Sequence, residues 1–286
     1  MKFLDVKTDF AFKKVFGSEQ SQDILISFLN AIIYIDSPYK IQQVQIVDPY
    51  SIPLLKGMKD TYVDIKAVLD NGSAVIIEMQ VLNHAGFEKR ILYNAAKNYS
   101  IQLKKGEDYT LLNPVIALTI ADFTLFQNST KLINRFKLIE KENLIEYSDD
   151  IELIFVELPK FNKVEADLKT IQDKWLYFIQ QAETLNFIPQ NLNQELEKAF
   201  AIINEANLTE AELEAQHKRK DFIYMQKSAI KLATQKGHDT GLEQGINLGI
   251  IKVAKTMLDA NMEISLIEQA TGLSATEIQK LKNNKI

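Results

Sequence analysis

The sequence predicts an α/β core followed by a helical C-terminal region. Three observations carry that reading. Up to residue 162, alternating or continuously apolar runs are interleaved with segments of helical periodicity. Beyond Pro159, β-branched clusters become scarce and helical spacing dominates. From Gly237, glycine recurs at every fourth position, and two short helical patterns close the chain. The expected divisions are therefore 1–162 for the α/β domain, 163–235 for a helical region and 236–286 for a glycine-rich helix with a helix-turn-helix-like tail.

Residues 8–34, TDFAFKKVFGSEQSQDILISFLNAIIY, read as two helical pieces. Thr8 or Asp9 would cap the first, and Gly17 would end it. Phe12, Val15 and Phe16 share a face there. Ser18 or Ser21 would open the second piece, where Leu25, Phe28, Leu29 and Ile32 recur at helical spacing. IQQVQIV, 41–47, alternates as a strand, and 61–80 reads as a hairpin. A helix is expected over 85–105, with Phe87, Ile91, Ala95, Asn98 and Leu103 on one side and Gly106 as its stop. PVIALTIADF, 114–123, and IELIFVEL, 151–158, have the near-continuous apolar character of buried strands. NFIPQNLNQ, 186–194, reads as a linker within the helical region.

In the tail, Gly237, Gly241, Gly245 and Gly249 would form one bare stripe on a helix and allow close helix packing. Each glycine costs about 0.8–1 kcal/mol against helix formation. A flexible or partner-stabilised helix is expected. MEISLIEQATGLSATEIQKLK then reads as helix, turn at Thr271-Gly272, and a second helix capped by Ser274 with Glu277 at the reciprocal position. Such a pair resembles a helix-turn-helix. It has no arginine, and Lys280, Lys282 and Lys285 lie at its end. Both a packing or oligomerisation module and a DNA-reading module remain open, and a homo-oligomer formed through the C-terminal helices is expected.

Composition narrows the chemistry. With 33 Lys+Arg against 38 Asp+Glu the net charge is −5, so nucleic acid cannot be held by bulk charge. Any phosphate binding must come from local clusters or a metal. There is no cysteine, which excludes disulfides, thiolate zinc sites and a cysteine nucleophile. His84, His217 and His238 lack metal-type spacing, so neither a histidine cage nor a Ser-His-Asp hydrolase is expected. MKFLDVKTDF lacks the apolar core of a signal peptide, and no run approaches the ~18 apolar residues of a membrane span. A cytoplasmic protein with no membrane partner is expected.

The hairpin DIKAVLDNGSAVIIEMQ, 64–80, carries the chemistry. A two-residue Asn71-Gly72 turn would pair 64 with 79, and a three-residue Asp70-Asn71-Gly72 turn would pair 64 with 78. One step of register exchanges the two faces of one strand. The three-residue turn places Val63, Ile65, Ala67 and Leu69 with Val75, Ile77 and Met79 on one apolar face. Tyr62, Asp64, Lys66 and Val68 then face Ala74, Ile76, Glu78 and Gln80. That register separates core from polar groups and is preferred. It makes Asp64 and Glu78 cross-strand neighbours, about 4.5–5.5 Å apart at Cβ. Two such carboxylates require a proton or a cation between them, and a hard divalent cation suits oxygen ligands. A solvated hairpin edge neutralised by Lys66 is the other reading of the spacing.

The order helix, strand, D-x13-E-x-Q hairpin, helix, strand resembles the PD-(D/E)XK nuclease superfamily and its restriction-endonuclease-like core. More narrowly, the chain resembles the PD-(D/E)XK family transposases, or recombination-promoting (Rpn) nucleases. TDFAFKKVFG at 8–17, YVDI at 62–65 and IIEMQ at 76–80 carry this, with KRILYNAAKNYSIQLKKGEDY at 89–109 and the strand PVIALTI after it. The resemblance covers residues 1–160, and the tail is similar more weakly. Gln80 stands where the superfamily usually has lysine, and a glutamine there is usual in the narrower family.

The resemblance implies a Mg²⁺-dependent DNA endonuclease, with Mn²⁺ as an alternative ion, associated with recombination or mobile elements. Asp64 and Glu78 would ligate the metal, with the Met79 backbone carbonyl as third ligand. Gln80 would orient the attacking water or hold a phosphate oxygen, although an amide supplies neither positive charge nor a useful base. Lys66, or a second Mg²⁺, would supply the missing charge. Asp9 matches a helical acid of the superfamily, as a further metal ligand or as a helix cap. Lys13 would touch phosphate or be solvated. Arg90, Tyr93 and Lys97 would line a groove for the DNA backbone or form an ordinary amphipathic surface. Lys104-Lys105 and HKRK at 217–220 are the other positive spots. The competing readings are a catalytically weak or inactive DNA-binding and oligomerising protein of a mobile-element or phage-defence system, and an interaction protein such as one limb of a toxin or phage-defence system.

Overall fold

The computed structural model describes residues 1–51 and 61–283, so Lys285 lies outside the described residues. The first helix, α1 (Asp9–Phe16), is capped by Thr8, whose hydroxyl accepts the Ala11 N–H. It buries Phe12, Val15 and Phe16 together with Ala11. The second helix, α2 (Gln22–Ile32), buries the stripe Leu25, Phe28, Leu29 and Ile32 expected from its spacing. Strands β1 (Val44–Val47), β2 (Tyr50–Ser51), β3 (Thr61–Tyr62), β4 (Ile65–Leu69) and β5 (Ala74–Gln80) follow, then α3 (Phe87–Ser100). Next come β6 (Val115–Ala121), β7 (Ile133–Ile139) and β8 (Glu146–Glu157). The remaining elements are α4 (Ile171–Gln181), α5 (Gln194–Ile202), α6 (Glu210–Asp259), α7 (Ile264–Thr271) and α8 (Ala275–Asn283).

Six strands form one mixed sheet in the order β1-β4-β5-β6-β8-β7. β5, β6 and β8 are parallel, and the outer pairs are antiparallel. Both faces of the parallel centre are covered, which explains the continuous apolar runs there. On one face, α1, α2, α4 and α5 build the main core around Phe12, Phe16, Phe28, Trp175, Phe178 and Phe200. Trp175 packs edge-on to Phe28 at 5.9 Å and to Phe178 at 5.7 Å, while its indole N–H reaches the Ser27 hydroxyl. On the other face, α3 lays Phe87, Ile91 and Ala95 over Ile76, Ala117 and Phe155.

The hairpin turns through Asp70-Asn71-Gly72. Gly72 adopts φ +84°, and its N–H donates to the Leu69 carbonyl at 2.9 Å. Ile65 faces Ile77 and Lys66 faces Ile76, the register of the three-residue turn; the ladder ends at Ile65, and the Asp64 N–H bonds the Ile77 carbonyl at 3.1 Å, so the expected cross-strand pairing of Asp64 with Glu78 is not made. Three details differ from the sequence expectation. Tyr62 and Thr61 leave the hairpin and pair with Tyr50 and Ser51 as a separate two-stranded ladder. Val63 packs with Ala74 and Ile76 on the α3 face rather than beside Ile65. The reason lies at Asp64, whose side chain takes the Met79 N–H at 2.8 Å, the place of a backbone acceptor, so the strand alternation breaks there. Third, β7 and the first half of β8 were not expected. β7 is an edge strand with one neighbour and mostly exposed side chains, so it shows no apolar run. Arg135 of β7 ties it down by donating to the carbonyls at the end of α2 and pairing with Glu152.

The chain divides into two compact units, Met1–Ile223 and Tyr224–Ile286. The second holds the rest of α6 with α7 and α8. Ala254, Ile267 and Ile278 form its small core, with Met257, Leu258 and Leu281 against them. Gly272 ends α7 at φ +73°, and Ser274 and Glu277 form the expected reciprocal cap on α8. Gly237, Gly241, Gly245 and Gly249 lie within α6, and a Cβ added at any of them meets nothing within 4 Å. Among the described residues, no helix is long and apolar enough to cross a membrane.

Candidate active site

The C-terminal end of β5 presents Glu78 toward α3, because Glu78 shares the face of Ile76. Glu78 is 6% exposed. Its Oε2 accepts from Arg90 Nη2 at 2.9 Å, and its Oε1 accepts from Asn94 Nδ2 at 2.6 Å. Arg90 and Asn94 are one turn apart on α3, beside the apolar stripe that seats the helix. Burial pushes the Glu78 pKa above the ordinary glutamate value; Arg90 and the Asn94 hydrogen bond oppose the shift, and Asp64 adds to it.

Gln80 shares the same arginine. Its Oε1 accepts from Arg90 Nη2 at 2.8 Å, and its Nε2 donates to the Leu82 carbonyl at 2.8 Å. Asp64 receives the Met79 N–H on Oδ2 and has Lys13 Nζ at 3.3 Å from Oδ1. Each carboxylate of the pair therefore has its own cation. Lys13 reaches across from α1 because the Thr8 cap starts that helix beside the hairpin end.

The other expected residues are placed as follows. Asp9 is the first residue of α1, not its cap, and pairs with Arg219 of α6 at 2.8 Å. Asp9 and Arg219 share a small hollow with Met79 and Gln80. Lys66 is half-buried on β4, where desolvation lowers its pKa and the Asp48 carboxylate opposes that. The cations at the acids are Lys13 and Arg90. Tyr93 is partly exposed on α3, whereas Lys97 is buried, 3% exposed. In the 217–220 run, Lys218 pairs with Glu214, Arg219 with Asp9 and Lys220 with Glu183. Asn94 escaped the sequence reading altogether. Its signal was an asparagine one turn after Arg90, next to the buried side of an amphipathic helix.

The donor set suits a hard divalent cation. Among the described residues no group of three or more His, Cys, Asp or Glu side chains could hold a metal, so two carboxylates are what the site offers. Mg²⁺ is commonly bound by one or two carboxylates with water completing the shell. The Met79 carbonyl would add a third oxygen. In a strand the N–H and C=O of one residue point to the same side, and the Met79 N–H points to Asp64. Asn94 Oδ1, beside Glu78, is buried with no hydrogen-bond partner among the described residues, which leaves an acceptor for a bound water.

Residues 6–233 match the family model described as PD-(D/E)XK nuclease family transposase. The chain belongs to that family. A second match, over 248–283, is to the Rpn/YhgA-like nuclease family, C-terminal HTH domain. No curated protein and no solved structure matches the chain at a significant level. In this member of the family, Asp64, Glu78 and Gln80 stand together at one sheet end, and α7 and α8 fall within the stretch matched to the helix-turn-helix domain.

Proposed function

We propose that the protein is a Mg²⁺-dependent DNA endonuclease, with Mn²⁺ as a substitute ion, that serves recombination or mobile elements. The observation that carries this is the convergence of Asp64, Glu78 and Gln80 with Arg90 and Lys13 at the end of β5. Asp64, Glu78 and the Met79 carbonyl would hold the ion. Bound there, it supplies charge to a phosphate oxygen and acidity to a water. Gln80, oriented by its bonds to Arg90 and Leu82, positions the water or a phosphate oxygen rather than acting as a base. Lys13, half-exposed beside Asp64, and Tyr93 face the backbone of the substrate. Asp9 acts through Arg219 rather than as a ligand. DNA is the partner that a nuclease-family domain followed by a helix-turn-helix domain supports, and α8 with Lys280 and Lys282 is its reading helix. The bare glycine stripe of α6 supports self-association through the C-terminal helices.

One observation favours a second reading. Lys13 and Arg90 already neutralise both acids, as expected of a DNA-binding protein with weak or no catalysis. Supercoiled plasmid distinguishes the two. The nuclease nicks or linearises it in Mg²⁺, not in EDTA, and Asp64→Ala loses the activity. DNA binding without cleavage in Mg²⁺ and Mn²⁺ supports the second reading.

A further inference from the structure

We infer that Arg90 takes the place of the lysine that position 80 lacks, fixing Glu78 and Gln80 with one nitrogen and offering its free edge to the scissile phosphate. This rests on the nuclease reading above. Gln80 is neutral, so it adds no charge at the reacting phosphate beyond what a bound ion supplies, and a cationic side chain beside it can take that part. Arg90 Nη2 spends both of its hydrogens inside the site, one on Glu78 Oε2 and one on Gln80 Oε1. Arg90 Nε is buried with no hydrogen-bond partner among the described residues. The guanidinium carbon lies 5.5 Å from the Phe87 ring centre, one turn earlier on α3. Three neighbours thus fix the plane of the guanidinium. No hydrogen bond of Nη1 is found among the described residues, and the side chain is 39% exposed. Nη2 thus fixes the group at the acid pair while Nη1 has no partner among the described residues, which leaves a charged nitrogen to stabilise a phosphate carrying extra negative charge.

A purely structural arginine would only neutralise buried Glu78. The two roles part in sign. As a phosphate donor that also competes for Glu78, Arg90 speeds cleavage while weakening Mg²⁺ binding. The test compares wild type, Arg90→Ala, Arg90→Lys and Asp64→Ala. It reads single-turnover plasmid cleavage at saturating Mg²⁺, Mg²⁺ affinity by calorimetry without DNA, and thermal melting. For Arg90→Ala, cleavage is expected to fall about 100-fold or more, with Mg²⁺ bound as tightly or several-fold tighter. Arg90→Lys should recover part of the rate, and millimolar guanidinium ions should partly rescue Arg90→Ala. Wild-type rates in Arg90→Ala would overturn the inference. So would slow cleavage coupled to weaker Mg²⁺ binding, a lower melting point and no rescue, because that pattern is structural support alone. If the wild type shows no metal-dependent cleavage under conditions where it binds DNA, the nuclease reading itself falls, and the role of Arg90 with it.

Discussion

Burial draws a proton toward Glu78, while Arg90 and Asn94 resist it, and the balance leaves the pKa above that of an ordinary glutamate. The folded chain therefore binds more proton than the unfolded chain in the pH range just above the ordinary value. Stability contributed at this position falls as pH rises through that range and stays lower above it. Relative to Glu78→Gln, the wild type should gain stability on acidification from neutral pH toward the ordinary glutamate pKa, as read by denaturant melts at stepped pH; a flat difference would show no such shift. At this scale, the hairpin register from Ile65 opposite Ile77 to Val68 opposite Ala74 was legible because a turn register obeys local rules. The roles of Arg90 and Asn94 were not, since they depend on how α3 sits on the sheet. Val63 was misplaced because a side chain, Asp64, stands in for a backbone acceptor.

Elements owe their ends to a few residues. The hairpin turn depends on Gly72 at φ +84°, where an added Cβ would also meet Asn113 Oδ1 at 2.7 Å. Gly72→Ala should cost about 1–2 kcal/mol and, by loosening the register, reduce activity alongside stability in the same preparations. The start of α6 depends on Glu212, which caps through Thr209 and pairs with Lys14 of α1. Those bonds, led by the one from Lys14, pull its pKa down to about 2. Here the sign is opposite to Glu78. The stabilisation is full above the ordinary glutamate pKa and is lost as pH falls toward about 2. The advantage of wild type over Glu212→Gln in thermal melts should shrink across that range. Helices were legible from their stripes, and the central strands from continuous apolar runs. The edge strand β7 was not, because its exposed residues carry no period that burial would impose.

At the scale of the whole molecule, the net charge of −5 hides a local cluster of cations at the acid pair. The helices expected as a region of their own, 163–235, contribute Trp175, Phe178 and Phe200 to the same core as α1 and α2. That sharing is invisible in sequence because the contacts join residues far apart along the chain. The tail, from Gly237 on, exposes large apolar side chains such as Leu242, Ile246 and Leu248 beside its glycines. Removing 236–286 should lower the solution mass from an oligomer to a monomer by light scattering; an unchanged mass would deny the tail an assembly role.

The most direct measurement is the rate of plasmid nicking by wild type and Glu78→Gln in Mg²⁺ and in EDTA, with melting curves to match folding. Glu78→Gln is nearly isosteric and keeps an acceptor for Arg90. Wild type should nick only with metal, and Glu78→Gln should lose about 10³-fold or more at unchanged fold. Equal nicking by the folded variant, or wild-type nicking in EDTA, would contradict a metal-dependent site at Asp64 and Glu78.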